Sequence, residues 1–94
     1  MIQKIHVTVD VHCLEKIQDP VRYRIFVDHE LVAERNFVWD HQSQYIQEQM
    51  TLNLRPGKHP VRIEEIGGKF SATNLQVDNI PTEAMYINVV NNAS

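Results

Sequence analysis

Between Ile2 and Cys13 the chain alternates almost without a fault. Ile5, Val7, Val9, Val11 and Cys13 fall on one face of an extended backbone; Lys4, His6, Thr8, Asp10 and His12 fall on the other. A period of two is the period of a strand. A strand with one apolar face needs a second layer against it, so this stretch predicts a sheet that packs on another sheet.

The pattern recurs at intervals of about 10–12 residues, the spacing of an all-β domain. The second strand puts Val21, Tyr23, Ile25 and Val27 inward and Arg22, Arg24 and Asp28 outward, with Phe26 on the outer side. Asp28-His29-Glu30 reads as a tight hairpin, because Asp bonds nearby backbone amides. The third strand runs Leu31 to Trp39, and Phe37-Val38-Trp39 carry large groups to both faces. A polar loop, Asp40 to Ser43, leads to a fourth strand, Tyr45 to Leu54. Ile46, Met50, Leu52 and Leu54 share its core face; Tyr45, Gln47, Gln49, Thr51 and Asn53 point away. Glu48 lands on the core side, which suits a sheet edge or a bulge.

Arg55-Pro56-Gly57-Lys58 has the residues of a type II turn. His59 to Ile66 follows as a fifth strand, with Val61 and Ile63 inward, and Gly67-Gly68 reads as a two-residue hairpin. Lys69 to Asp78 is a sixth strand whose phase changes near Thr73-Asn74, the mark of a bulge. Ile80-Pro81-Thr82 reads as a turn, and Ala84 to Val90 as the last strand. Leu14 to Pro20 reads as a connection in which Leu14 and Ile17 make one helical turn on an open end of the sheet. The expected fold is therefore all-β: a single antiparallel β-sandwich of about seven strands, immunoglobulin-like or jelly-roll-like, over residues 1–90. Residues 91–94 form a frayed tail.

Composition excludes several function classes. Ninety-four residues make one domain. Nine basic residues stand against twelve acidic ones, with no basic stripe, so neither nucleic acid nor an anionic membrane surface is an expected partner. One cysteine, Cys13, allows no internal disulfide. The N-terminus passes straight into a strand pattern without the parts of a signal peptide, so cytoplasmic synthesis is expected. No run approaches the ~20 apolar residues of a membrane helix.

Residues 20–90 carry a recognisable order. It runs Pro20-Val21-Arg22-Tyr23-Arg24-Ile25-Phe26-Val27-Asp28, then Gln44-Tyr45, then Leu54-Arg55-Pro56-Gly57-Lys58-His59-Pro60-Val61-Arg62-Ile63, and ends on Thr73-Asn74-Leu75-Gln76-Val77-Asp78-Asn79-Ile80. This resembles small carbohydrate-binding-module-like β-sandwiches of the calcium-dependent xylan-binding type. The chain also resembles uncharacterised short β proteins encoded by contractile-tailed phages, particularly of cyanobacteria. The first resemblance implies a sugar site completed by calcium. The residues depart from it: Ser71, Ala72 and Thr73 precede Asn74-Leu75 where carboxylates would be needed, and the loop before them has shrunk to Gly67-Gly68. Asp78 reads as a strand-end residue, so no calcium is expected.

The remaining chemistry is sparse. His6 and His12 share a strand face but lie about 20 Å apart along it, too far to share a metal. No pair has zinc-ligand spacing. Cys13 belongs to the apolar series, where burial makes a thiol unreactive. Glu64 and Glu65 point to opposite faces. No cofactor, no metal and no catalytic residue is expected. The functional candidates are Trp39, Asp40, His41 and Tyr45, gathered about one loop, together with Gln47 on the amide-rich face. Tryptophan and tyrosine stack on sugar rings and anchor protein interfaces; equally, Trp39 suits a core position. The expected function is non-catalytic binding or assembly, in a phage virion or accessory protein. Its partner is a protein or a second copy joined through an edge strand, with the long first strand as one candidate edge. The alternative is a carbohydrate-binding module that uses the aromatic loop without calcium.

Overall fold

A computed structural model of the chain describes residues 2–18, 20–38, 45–82 and 85–90. The described residues form eight strands: β1 (Gln3–Lys16), β2 (Val21–Val27), β3 (Glu30–Phe37), β4 (Tyr45–Leu54), β5 (Gly57–Ile66), β6 (Gly68–Val77), β7 (Ile80–Pro81) and β8 (Tyr86–Val89). They make two antiparallel four-stranded sheets, in the orders β4-β1-β6-β7 and β3-β2-β5-β8. The sheets pack face to face as a β-sandwich. The additional strand beyond seven is β7, only two residues long.

Alternation sets the core. Ile5, Val7, Val9 and Val11 on β1 are buried, and so are Val21, Tyr23, Ile25 and Val27 on β2. Met50, Val61, Phe70, Leu75, Ile87 and Val89 complete the layer between the sheets. Each sheet thus covers the other's apolar face, as a period of two requires. Tyr23 and Phe70 meet edge to face across the sheets, with ring centroids 5.2 Å apart.

Only β2–β3 and β6–β7 connect neighbours within one sheet; every other connection crosses between sheets. The structure departs from the sequence reading at three points. Gly67-Gly68 is not a hairpin, because β5 and β6 lie in different sheets. It is a corner, with Gly67 at φ 74°, where an added Cβ would fall 2.8 Å from the Pro20 carbonyl oxygen. Leu14 and Ile17 form no helical turn: β1 continues to Lys16, paired with Gly68, and the Ile17 and Gln18 amides both donate to the Gly67 carbonyl. Ile80-Pro81 is strand β7, not a turn. The turn is Asp78-Asn79, both left-handed (φ 51° and 67°), the requirement of a tight two-residue hairpin.

A bulge does interrupt β6. Thr8 pairs with Gln76 but Asp10 with Thr73, and Asn74 takes φ 56°. The first strand lies inside its sheet and is not an edge: β4 pairs with it from Gln3 to His12 and β6 from Val7 to Lys16. Among the described residues the free edges are β4, β7, β3 and β8. The expected tail, residues 91–94, lies outside the described residues.

Candidate functional site

The outer face of β4-β1-β6 gathers amides, hydroxyls and one phenol around the imidazoles of His6 and His12 and the Asp10 carboxylate. Register makes it. His12 stands opposite Tyr45, Asp10 opposite Gln47, Thr8 opposite Gln49 and His6 opposite Thr51. On the far side β6 adds Ser71 beside His12 and Thr73 beside Asp10. The His12 and Tyr45 rings lie 5.5 Å apart, tilted by 31°. His12 Nε2 also meets Thr73 Oγ1 at 3.0 Å. Asn74 Nδ2 donates to Asp10 Oδ2 (3.3 Å), Gln76 donates to Asn74 (2.9 Å), and Gln49 to Gln47 (3.3 Å). The other Asp10 oxygen is buried and has no hydrogen-bond partner among the described residues.

Of the residues expected at the site, Tyr45 and Gln47 belong to this face. Tyr45 is 59% exposed. Trp39, Asp40 and His41 lie outside the described residues, as does the remainder of their loop. His12, Asp10, Thr73 and Asn74 join the face through long-range pairing. Alternation places each side chain on a face, but only the register between strands places His12 beside Tyr45.

Four reactive-type side chains among the described residues, Glu48, His59, Asp78 and Cys13, are held within the fold. Glu48 is buried on edge strand β4. Its Oε1 accepts from Arg35 on β3, through Nε at 2.8 Å and Nη2 at 2.5 Å, and from Tyr23 Oη at 3.1 Å. Burial first, then the Glu48 charge, pushes the Tyr23 phenol well above its ordinary range. The hydrogen bond to Glu48 holds the Arg35 guanidinium still more firmly protonated. This is a latch between the two sheets, with its partners supplied by both.

His59 uses both ring nitrogens. Nδ1 meets the Asp28 carboxylate, and Nε2 lies 2.6 Å from the Arg55 carbonyl. Burial pulls its pKa down, but the Arg55 carbonyl and the Asp28 carboxylate outweigh it, and the net shift is upward. The ring therefore ties the β2–β3 turn to the β4–β5 connection and leaves no nitrogen for proton transfer. Asp78 accepts from the His6 amide at 3.0 Å, while its own amide donates to the His6 carbonyl; it fastens the end of β6 to β1. Cys13 is buried, and desolvation raises its pKa. Among the described residues no three His, Cys, Asp or Glu side chains converge as a metal site would require. No described helix is long and apolar enough to cross a membrane.

A groove of about 720 Å³ opens along the opposite side, between β7 and β8. Ile5, Val77 and Val89 form part of its floor, Ile80, Pro81 and Tyr86 its walls, and Lys58 and Asp78 lie at its polar margin. Ile80, Tyr86 and Val90 are largely exposed. No family model, no curated protein and no solved structure matches this chain.

Proposed function

We propose that this chain acts by binding or assembly, not by catalysis. The observation that supports this most is the engagement of four reactive-type groups among the described residues. Glu48, His59 and Asp78 are each spent on tying strands together, and Cys13 is buried with a raised pKa. A general base needs a free lone pair within reach of substrate, and His59, with both nitrogens engaged, offers none. What faces outward is sheet surface and strand edge, the features through which small sandwiches meet partners. On the resemblance to phage β proteins, its setting is a virion or accessory component. Two measurements on the purified protein test the reading: turnover of a panel of hydrolysable esters, phosphates and glycosides, and molar mass across a concentration series. No turnover with concentration-dependent mass supports it. Turnover that survives repurification and is lost on His59→Gln contradicts it.

A second reading has its own observation. The exposed Tyr45–His12 pair borders a face of amides and hydroxyls, a composition that suits stacking on a sugar ring with hydroxyls bonded beside it. Affinity electrophoresis through soluble polysaccharides tests this. Retardation abolished by Tyr45→Ala, and also by Trp39→Ala, supports a glycan site. Unretarded migration in every polysaccharide removes it.

A further inference from the structure

Natural sheets blunt their free edges with charge, proline, bulges or inward-pointing charged groups, because unpaired backbone invites another strand. Three of the four edges here carry such devices. Strand β3 holds Glu30, Glu34 and Arg35, and a bulge falls between its pairings with Ile25 and Phe26. Strand β4 turns Glu48 inward. Strand β7 has two residues, one of them Pro81. Strand β8 reads Tyr86-Ile87-Asn88-Val89. It has no charge and no proline, and its register with β5 is unbroken. Its protections are its length and, just past its end, the Gln3 side chain, whose Nε2 donates to the Val90 carbonyl at 2.9 Å.

The hydrogen-bond phase of β8 is fixed. The Val61 amide donates to the Met85 carbonyl at 2.8 Å. Antiparallel pairs alternate between bonded and non-bonded, so Ile87 and Val89 bond to β5 opposite His59 and Gly57. Tyr86 and Asn88 then direct their N–H and C=O groups away from β5. Pro60, opposite Tyr86, fits this phase, because no donor is needed from it on that side.

We propose that the β8 edge is a self-association site, at which a second copy of this chain pairs antiparallel through its own β8. This rests on the assembly reading above and names the surface it uses. The choice of a second copy follows from self-complementarity. About a two-fold axis at Ile87, Tyr86 of one copy bonds Asn88 of the other in both directions, giving four backbone hydrogen bonds. The paired residues carry no charge, so no like charges meet. Strand β5 would not allow this, because a self-paired Glu64-Glu65 would bring carboxylates together. The second sheets of the two copies become one eight-stranded sheet. Their apolar grooves, with Ile80, Tyr86 and Val90, lie side by side along the junction and lose water. So short a strand makes a small interface, and small interfaces are weak; the dimer forms at concentrations of order 100 μM.

Light scattering after gel filtration of the full chain, from about 5 μM to about 1 mM, reads the result. Asn88→Pro removes one outward donor, and Asn88→Lys sets two like charges close across the junction. Gln49→Lys, on the β4 edge, is the control. The mass should rise toward twice 11.0 kDa for the parent and for Gln49→Lys. Both Asn88 variants should weaken association by about tenfold or more, with an unchanged far-ultraviolet spectrum; if Asn88→Pro does not fold, Asn88→Lys decides alone. A parent chain that stays monomeric to about 1 mM overturns the proposal, and so does a dimer indifferent to Asn88→Lys. A monomer retarded in polysaccharide gels would overturn this proposal while leaving the binding reading standing. Turnover would overturn the binding reading instead.

Discussion

The two long sides of the sandwich are closed in different ways. On the β3/β4 side Arg35, Glu48 and Tyr23 form a charged, hydrogen-bonded latch across the sheets. On the β7/β8 side the described residues form an apolar groove over Ile5, Val77 and Val89, with Ile80 and Tyr86 at its lips. An ionic latch depends on geometry and fails if one partner is removed. An apolar side is indifferent to direction, tolerates small shifts and remains adhesive toward other apolar surface. A sandwich that must stay shut on one side and meet partners on the other would be built in this manner.

Four substitutions sharpen the contrast. The largest effect should come from Ile87→Ala, which empties a fully buried site on the β8 side. It should cost about 3–4 kcal/mol in chemical denaturation, with little dependence on salt or pH. Glu48→Ala, on the latched side, leaves Arg35 and Tyr23 without their common acceptor. It should cost about 3 kcal/mol, with the Arg35 end softened because that side chain is half exposed. Equal losses under high salt and low salt would show that the latch is not ionic in effect.

His59→Gln should have a smaller effect, and one that depends on pH. The folded-state pKa of His59 lies above its ordinary value, so the native protein binds the proton more tightly than the unfolded chain. Its stabilisation is fully present below about pH 6.5 and disappears as pH rises through the raised value. The parent should therefore lose stability across that window in urea titrations, and His59→Gln should flatten the loss. Smallest of all, Asn88→Lys should change monomer stability by less than about 0.5 kcal/mol, since Asn88 is exposed, while it weakens association by about tenfold or more.

Much of this architecture was legible in the chain. Val7, Val9 and Val11 announce a buried face by alternation alone, and Tyr23 and Ile25 do the same on β2. The anomaly at Glu48 was visible as a carboxylate on a core face, but not its partners, because Arg35 and Tyr23 reach it from the other sheet. Gly67-Gly68 carries the residues of a hairpin and forms a corner. Local sequence records that the chain must turn there; which sheet receives the next strand depends on contacts far away. The bulge at Asn74 was marked by a change of phase, a local signal. The pairing of His12 with Tyr45 had none, because register is a property of two strands. The open β8 edge was equally hidden, since an edge is defined by what fails to pair beside it.

Amide hydrogen exchange resolved by residue, at about 10 μM and about 500 μM, tests the asymmetry of the two sides most directly. The Tyr86 and Asn88 amides should exchange freely in the dilute protein and slow about tenfold or more in the concentrated one, while the amides of β4 exchange equally in both. Protection that grows along β4 with concentration, or Tyr86 and Asn88 amides that exchange alike at both concentrations, would contradict the assignment of the β8 side as the adhesive one.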